Sequence, residues 1–148
     1  MTTDTVADIL LVENNPRDAE LTLLALDECG LMPRVLHVSD GQEALDYIGS
    51  TGVYARDQSS PLPKVILLDL GLHKVGGLQV LQQIKADPRT RSIPVVVLTS
   101  SAIAIERVES YKLGVNSYVI KPTDSRKFAK VVAEIGHYWL SVNEPPPL

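Results

Sequence analysis

Val65-Ile66-Leu67-Leu68-Asp69-Leu70 decides the reading of this chain. Four aliphatic residues in succession, two of them β-branched, offer no polar face to water, so the run fits a strand covered on both sides. A carboxylate placed directly after such a run is costly unless water, a metal or a partner satisfies it. Asp69 therefore marks a strand end that opens onto something it can interact with.

The same grammar repeats on either side. Ile9-Leu10-Leu11-Val12 ends in Glu13-Asn14, residues 35–38 form another run, residues 95–98 end in Thr99-Ser100, and residues 118–120 are followed by Lys121-Pro122. Segments of helical period lie between them, at about residues 16–29, 42–48, 78–85, 102–113 and 124–140. Five buried strands alternating with helices predict an α/β fold, a doubly wound parallel sheet with helices on both faces. Asn15-Pro16 reads as a helix start, and Asp40-Gly41, Gly76-Gly77 and Asp87-Pro88 as turns. Residues 49–63 read as an unusually long surface loop. Glu144-Pro145-Pro146-Pro147-Leu148 cannot continue a helix. The expectation is one domain over residues 1–148, with a core at about residues 8–142 and a flexible proline-rich tail over residues 143–148.

Composition narrows the function classes. With 45% hydrophobic and 22% charged residues the chain belongs with packed rather than disordered proteins. A net charge of −4 without any basic block argues against nucleic acid as a partner. The polar, acidic start Met1-Thr2-Thr3-Asp4-Thr5 is no signal peptide, and no apolar run reaches membrane-spanning length. The lone Cys29 can form no internal disulfide and is read as core packing. Together these point to a cytoplasmic protein without membrane or nucleic-acid contacts.

In a doubly wound parallel sheet the ligand site lies at the carboxyl ends of the strands, where strand order reverses. Glu13, Asn14, Asp69, Thr99 and Lys121 should converge there. Carboxylate oxygens suit a hard cation such as Mg2+, which neutralises phosphoryl oxygens. Asp69 is then the candidate nucleophile, forming an acyl phosphate, while the Thr99 hydroxyl and the Lys121 ammonium hold the remaining phosphoryl oxygens.

Leu11-Val12-Glu13-Asn14-Asn15-Pro16, Leu67-Leu68-Asp69-Leu70, Val97-Leu98-Thr99-Ser100 and Tyr118-Val119-Ile120-Lys121-Pro122 together resemble the signatures of response-regulator receivers. The resemblance implies a flavodoxin-like fold with strand order 2-1-3-4-5, and a signalling phosphoacceptor rather than a metabolic enzyme. It makes Asp69 the acceptor of phosphate from a histidine kinase, Thr99 and Tyr118 the switch residues, Lys121 the phosphate-binding lysine, and Glu13, Asn14, Asp69 and the Gly71 carbonyl the Mg2+ ligands. Asn-Pro-x-Asp after the first strand, the long loop before the third and Tyr138-Trp139-Leu140 are most similar to single-domain receivers serving phytochrome-type kinases, so a bacteriophytochrome is the candidate partner. A homodimer through the C-terminal helices is expected, because Phe128, Val131, Val132, Ile135, Tyr138, Trp139 and Val142 form more apolar surface than one core-facing stripe needs.

The chain also departs from that family. Asn14 stands where a second acid is usual, which predicts weaker Mg2+ binding; the bland reading of Asn14 is a helix cap. Gly71-Leu72-His73 and Gly76-Gly77 replace the usual loop, and His73, His37 and His137 are read as structural or solvated. The rival reading is a pseudo-receiver acting by contacts alone. An aspartyl phosphatase would want a second aspartate at Gly71, and a flavin carrier would want a phosphate loop after the first strand.

Overall fold

The computed structural model of the chain describes residues 7–55 and 61–147. Strands β1 (Ile9–Val12), β2 (Val35–Val38), β3 (Val65–Leu68), β4 (Val95–Thr99) and β5 (Ser117–Ile120) form one parallel sheet in the order β2-β1-β3-β4-β5. Parallel neighbours start at the same edge, so each connection must travel back along the sheet, and helices make the journey. These are α1 (Pro16–Asp27), α2 (Gly41–Gly49), α3 (Gly77–Ala86), α4 (Ala104–Lys112) and α5 (Ser125–His137). The chain steps outward from β1 to β2, then crosses back to β3 on the other side of β1, which parts the connections above β1 and β3.

Alternation along the strands divides the core into two layers. Leu10, Val12, Ile66, Leu68, Val95 and Val97 pack with Ala44, Tyr47 and Ile48 of α2 and Val80, Leu81 and Ile84 of α3. Ile9, Leu11, Val65, Leu67, Val96 and Leu98 face α1 and α5 through Leu26, Phe128, Val132 and Ile135. Each fully buried aliphatic side chain contributes about 1.5–3 kcal/mol, most of it offset by chain entropy. β1, β3 and β4 are buried throughout, as unbroken apolar runs require. The expectation of five buried strands fails at the edges: β2 and β5 are largely half-buried, and Ile120 is 41% exposed.

Helix starts follow local chemistry. The side chains of Asn15, Asp40 and Asp124 accept from backbone N–H groups in the first turns of α1, α2 and α5. Asp40-Gly41 and Gly76-Gly77 are thus helix starts rather than free turns. The long loop is partly ordered: Ser50 takes a left-handed backbone, a 3-10 turn spans Gly52–Tyr54, and Tyr54 packs edge-on against Tyr47 at 5.5 Å. Residues 56–60 of that loop lie outside the described residues, as does Leu148. α5 ends at His137 and is followed by a single π turn, Tyr138–Val142, closed by Asn143 N–H donating to the Tyr138 carbonyl at 2.7 Å. Residues 143–147 have no regular structure. Cys29 is half-buried rather than a core residue.

Two glycines hold the loop that follows the third strand. A Cβ on Gly77 would stand 2.5 Å from Leu70 Cα and 2.7 Å from the Asp69 carbonyl oxygen; one on Gly41 would stand 2.1 Å from the Val75 carbonyl oxygen. Helix propensity alone would make Gly41→Ala stabilising by about 1 kcal/mol. The clash with backbone reverses the sign, and we expect a net loss of about 1–3 kcal/mol, read as a lower urea midpoint.

Candidate functional site

Register places the chemistry. Val12 pairs with Leu68, Leu68 with Val97 and Thr99 with Ile120, so the residues after β1, β3 and β5 leave the sheet beside Thr99. Two further hydrogen bonds extend the ladders: Asp69 N–H to the Val12 carbonyl at 3.0 Å, and Lys121 N–H to the Thr99 carbonyl at 2.7 Å. Glu13, Asp69, Thr99 and Lys121 are all buried polar residues, in keeping with groups that need partners.

Those partners are each other. Lys121 Nζ donates to Glu13 Oε1 at 2.7 Å, to Asp18 Oδ2 at 2.8 Å and to Asp69 Oδ2 at 3.2 Å. The second oxygen of Glu13 accepts from Asn15 N–H at 3.1 Å, and Asp69 Oδ1 accepts from Gly71 N–H at 3.2 Å. Burial alone would lower the lysine's affinity for its proton, but the bonds to Asp18 and Glu13 and the surrounding negative charge raise it, so Lys121 is held as an ammonium. Burial also opposes ionisation of Asp69; the Glu13 hydrogen bond, the Lys121 charge and the Gly71 N–H outweigh it and hold the carboxyl below its usual range.

A cavity of about 570 Å3 opens above this cluster, and its walls include Asn14, Asp18, Asp69, Gly71, Thr99, Ser101, Glu106 and Lys121. Asn14 lines it while Asn15 caps α1, so the capping reading passes to the neighbour. Glu13 is not among the lining residues; its carboxylate is 2% exposed and fully engaged. The hard oxygens of Asp69, Asn14 and the Gly71 backbone fit a divalent cation in kind. Among the described residues, however, no group of three or more His, Cys, Asp or Glu side chains is arranged to hold a metal, because three carboxylates converge on Lys121 instead.

Ser101 ties Thr99 and Tyr118 together. Its N–H donates to Thr99 Oγ1 at 3.2 Å, its carbonyl accepts from the Tyr118 hydroxyl at 3.2 Å, and its hydroxyl bonds to Glu106 in the first turn of α4. Sequence reading missed Ser101 as this hub, and missed Glu106 and the role of Asp18. Asp18 carried a signal, since Asn15-x-x-Asp18 has capping-box spacing. His37 is structural, its Nε2 lying 2.8 Å from the Glu13 carbonyl oxygen. His73 and His137 are exposed. The residues expected to form a dimer face divide: Phe128, Val132 and Ile135 belong to the core, Val131 and Trp139 are half-buried against it, and Tyr138 and Val142 are exposed. The apolar excess on α5 is therefore smaller than the sequence implied, because α5 packs against α1 as well as into the core layer that the two helices share on one face of the sheet.

Residues 9–133 match the response regulator receiver domain family. The probable methanogenesis regulatory protein FilR2 of Methanothrix harundinacea is 43% identical over 93% of this chain and 86% of its own length. The crystal structure of the phosphorylated cyanobacterial phytochrome response regulator RcpA superposes with a TM-score of 0.87 at 39% identity, covering 94% of this chain and 97% of RcpA. The Mn(2+)-bound form of response regulator Rcp1, a protein of Synechocystis, does so with a TM-score of 0.86 at 36% identity, over 94% of this chain and 98% of Rcp1.

Burial, then the hydrogen bond and charge of Asp69, push Glu13 up to about 7 against the pull of Lys121. A carboxyl whose pKa rises on folding binds its proton more tightly in the fold, so its contribution to stability falls as pH climbs from the unfolded value of 4.5 through about 7. Asp69, held low, acts with the opposite sign and below that window. Urea midpoints of the metal-free protein should therefore decline from about pH 5 to about pH 7, and Glu13→Gln should flatten the decline.

Proposed function

The chain belongs to the response regulator receiver family, and from that membership we propose that Asp69 accepts a phosphoryl group from a phytochrome-type sensor histidine kinase, a bacteriophytochrome being the candidate. The observation that carries the proposal is the ammonium of Lys121 held 3.2 Å from a carboxylate that stays ionised at the floor of an open cavity. An Asp69 oxygen attacks the phosphorus of a phosphorylated imidazole; the new P–O bond forms as the P–N bond breaks, and the imidazole leaves with its electron pair. Lys121 moves from its carboxylates to a phosphoryl oxygen, and the Thr99 hydroxyl donates to another. Asp69, Asn14 and the Gly71 carbonyl would hold a divalent cation, with Glu13 adding charge nearby, and when bound it would neutralise the phosphoryl oxygens.

The signal leaves through Ser101. When Thr99 turns towards the phosphoryl group, the Ser101 N–H bonded to it follows, which draws on Tyr118 through the Ser101 carbonyl and on α4 through Glu106. Phosphate at Asp69 thereby changes the surface of α4 and β5 that a partner reads. The protein catalyses its own phosphoryl transfer and loss. It works in the cytoplasm, as a homodimer in which Tyr138 and Val142 meet their counterparts beside Val131 and Trp139.

Acetyl phosphate with millimolar Mg2+ should add one phosphoryl mass to wild type, none to Asp69→Asn, and should label Lys121→Ala at least about a hundredfold more slowly, as removal of one transition-state donor does. Intact-mass spectrometry reads all three, and an unlabelled wild type leaves the chain a module that acts by contacts alone. Light scattering at high micromolar concentration should give the dimer mass for wild type and the monomer mass for Val142→Asp; a wild-type monomer ends the dimer reading.

A further inference from the structure

Asp18 occupies the third helical position of α1, three residues beyond the cap Asn15. There a carboxylate ordinarily reaches back to the cap residue's own N–H, completing a capping box. In this chain that N–H is already taken by Glu13 Oε2 at 3.1 Å, while the Asp18 N–H donates to Asn15 Oδ1 at 3.0 Å. The helix start is satisfied without the Asp18 carboxylate. That carboxylate turns to Lys121 Nζ at 2.8 Å, closer than Asp69 at 3.2 Å, and it lines the cavity together with Asn14 and Asp69.

Charge gives this placement a purpose. Asn14 brings an oxygen to the cavity wall but no charge. Glu13 is buried and its carboxylate is spent on Lys121 and Asn15. Glu106, the other acid on the wall, is bonded to Ser101. Without Asp18 the Lys121 ammonium would settle more fully on Asp69 and cancel the charge that a cation needs.

We propose that Asp18 is a positioning residue of the phosphoacceptor site: it draws Lys121 away from Asp69 and supplies the anion missing at Asn14, so that a divalent cation binds. The inference rests on the phosphoacceptor reading, and calorimetric titration of Mg2+ into the unphosphorylated protein separates the two. Asp18→Asn keeps the backbone cap and the side-chain shape, and should weaken Mg2+ binding by about tenfold. Asp18→Glu should retain most of the affinity although it changes the side-chain length, which a role in shape alone would not predict, and Asn14→Asp added to Asp18→Asn should bring the affinity to the wild-type value or above. Affinity unchanged in Asp18→Asn, with Asp69→Asn strongly weakened, overturns the role of Asp18 alone. Affinity unchanged in Asp69→Asn overturns the reading of the site and this inference with it.

Discussion

An ammonium buried among three carboxylates is the constraint around which this molecule is arranged. Lys121 would be prohibitively costly where it stands without partners, since removing one member of a buried charge pair typically costs about 3–5 kcal/mol. Glu13, Asp18 and Asp69 answer that cost at distances of 2.7, 2.8 and 3.2 Å. They come from the ends of β1 and β3 and the first turn of α1, and the lysine from the end of β5, so the cluster exists only when the whole sheet is in register. Losing any one of the three carboxylates would leave the ammonium to be satisfied by the other two.

The two sides of the site differ in stiffness for identifiable reasons. Below β3, the loop after Asp69 is pinned where Gly77 and Gly41 admit backbone at distances no side chain would allow. Above β4, the loop after Thr99 is held by single hydrogen bonds through Ser101, each of which can be exchanged for another. Asp69 thus sits beside a closely packed loop, and Thr99 beside a loosely tied one. A Cβ on Gly71 would meet nothing within 4 Å, so its glycine is not a steric necessity of the loop after Asp69.

The sheet was legible in the sequence because its three central strands are buried on both faces, which leaves no choice but unbroken aliphatic runs ending in polar residues. Each run therefore named the polar residue that the structure brings to one place: Glu13, Asp69, Thr99, and Lys121 after the edge strand. Edge strands were overestimated as buried, since a run such as Val35-Leu36-His37-Val38 looks much the same whether one face or two are covered. Asp18 was readable as a capping residue, and only the backbone bond from Asn15 to Glu13 shows that its carboxylate is released for other work. Ser101 meets Thr99 and Tyr118 through its backbone groups, which any residue type carries, and only its hydroxyl bond to Glu106 depends on its being a serine. The apolar residues of α5 misled for a related reason, because periodicity gives the width of a stripe but not how many elements share it.

α4 buries only Ser110 among its nine residues, while Ile105, Val108 and Tyr111 stand in solvent. Little apolar area is lost when such a helix shifts, so the packing that resists its displacement is weaker than for a helix with a buried apolar face. A helix packed like α3 would have to be broken loose by a ligand of great differential affinity. α4 has no such anchor, and the bond between Glu106 and Ser101 ties its first turn to the loop after Thr99.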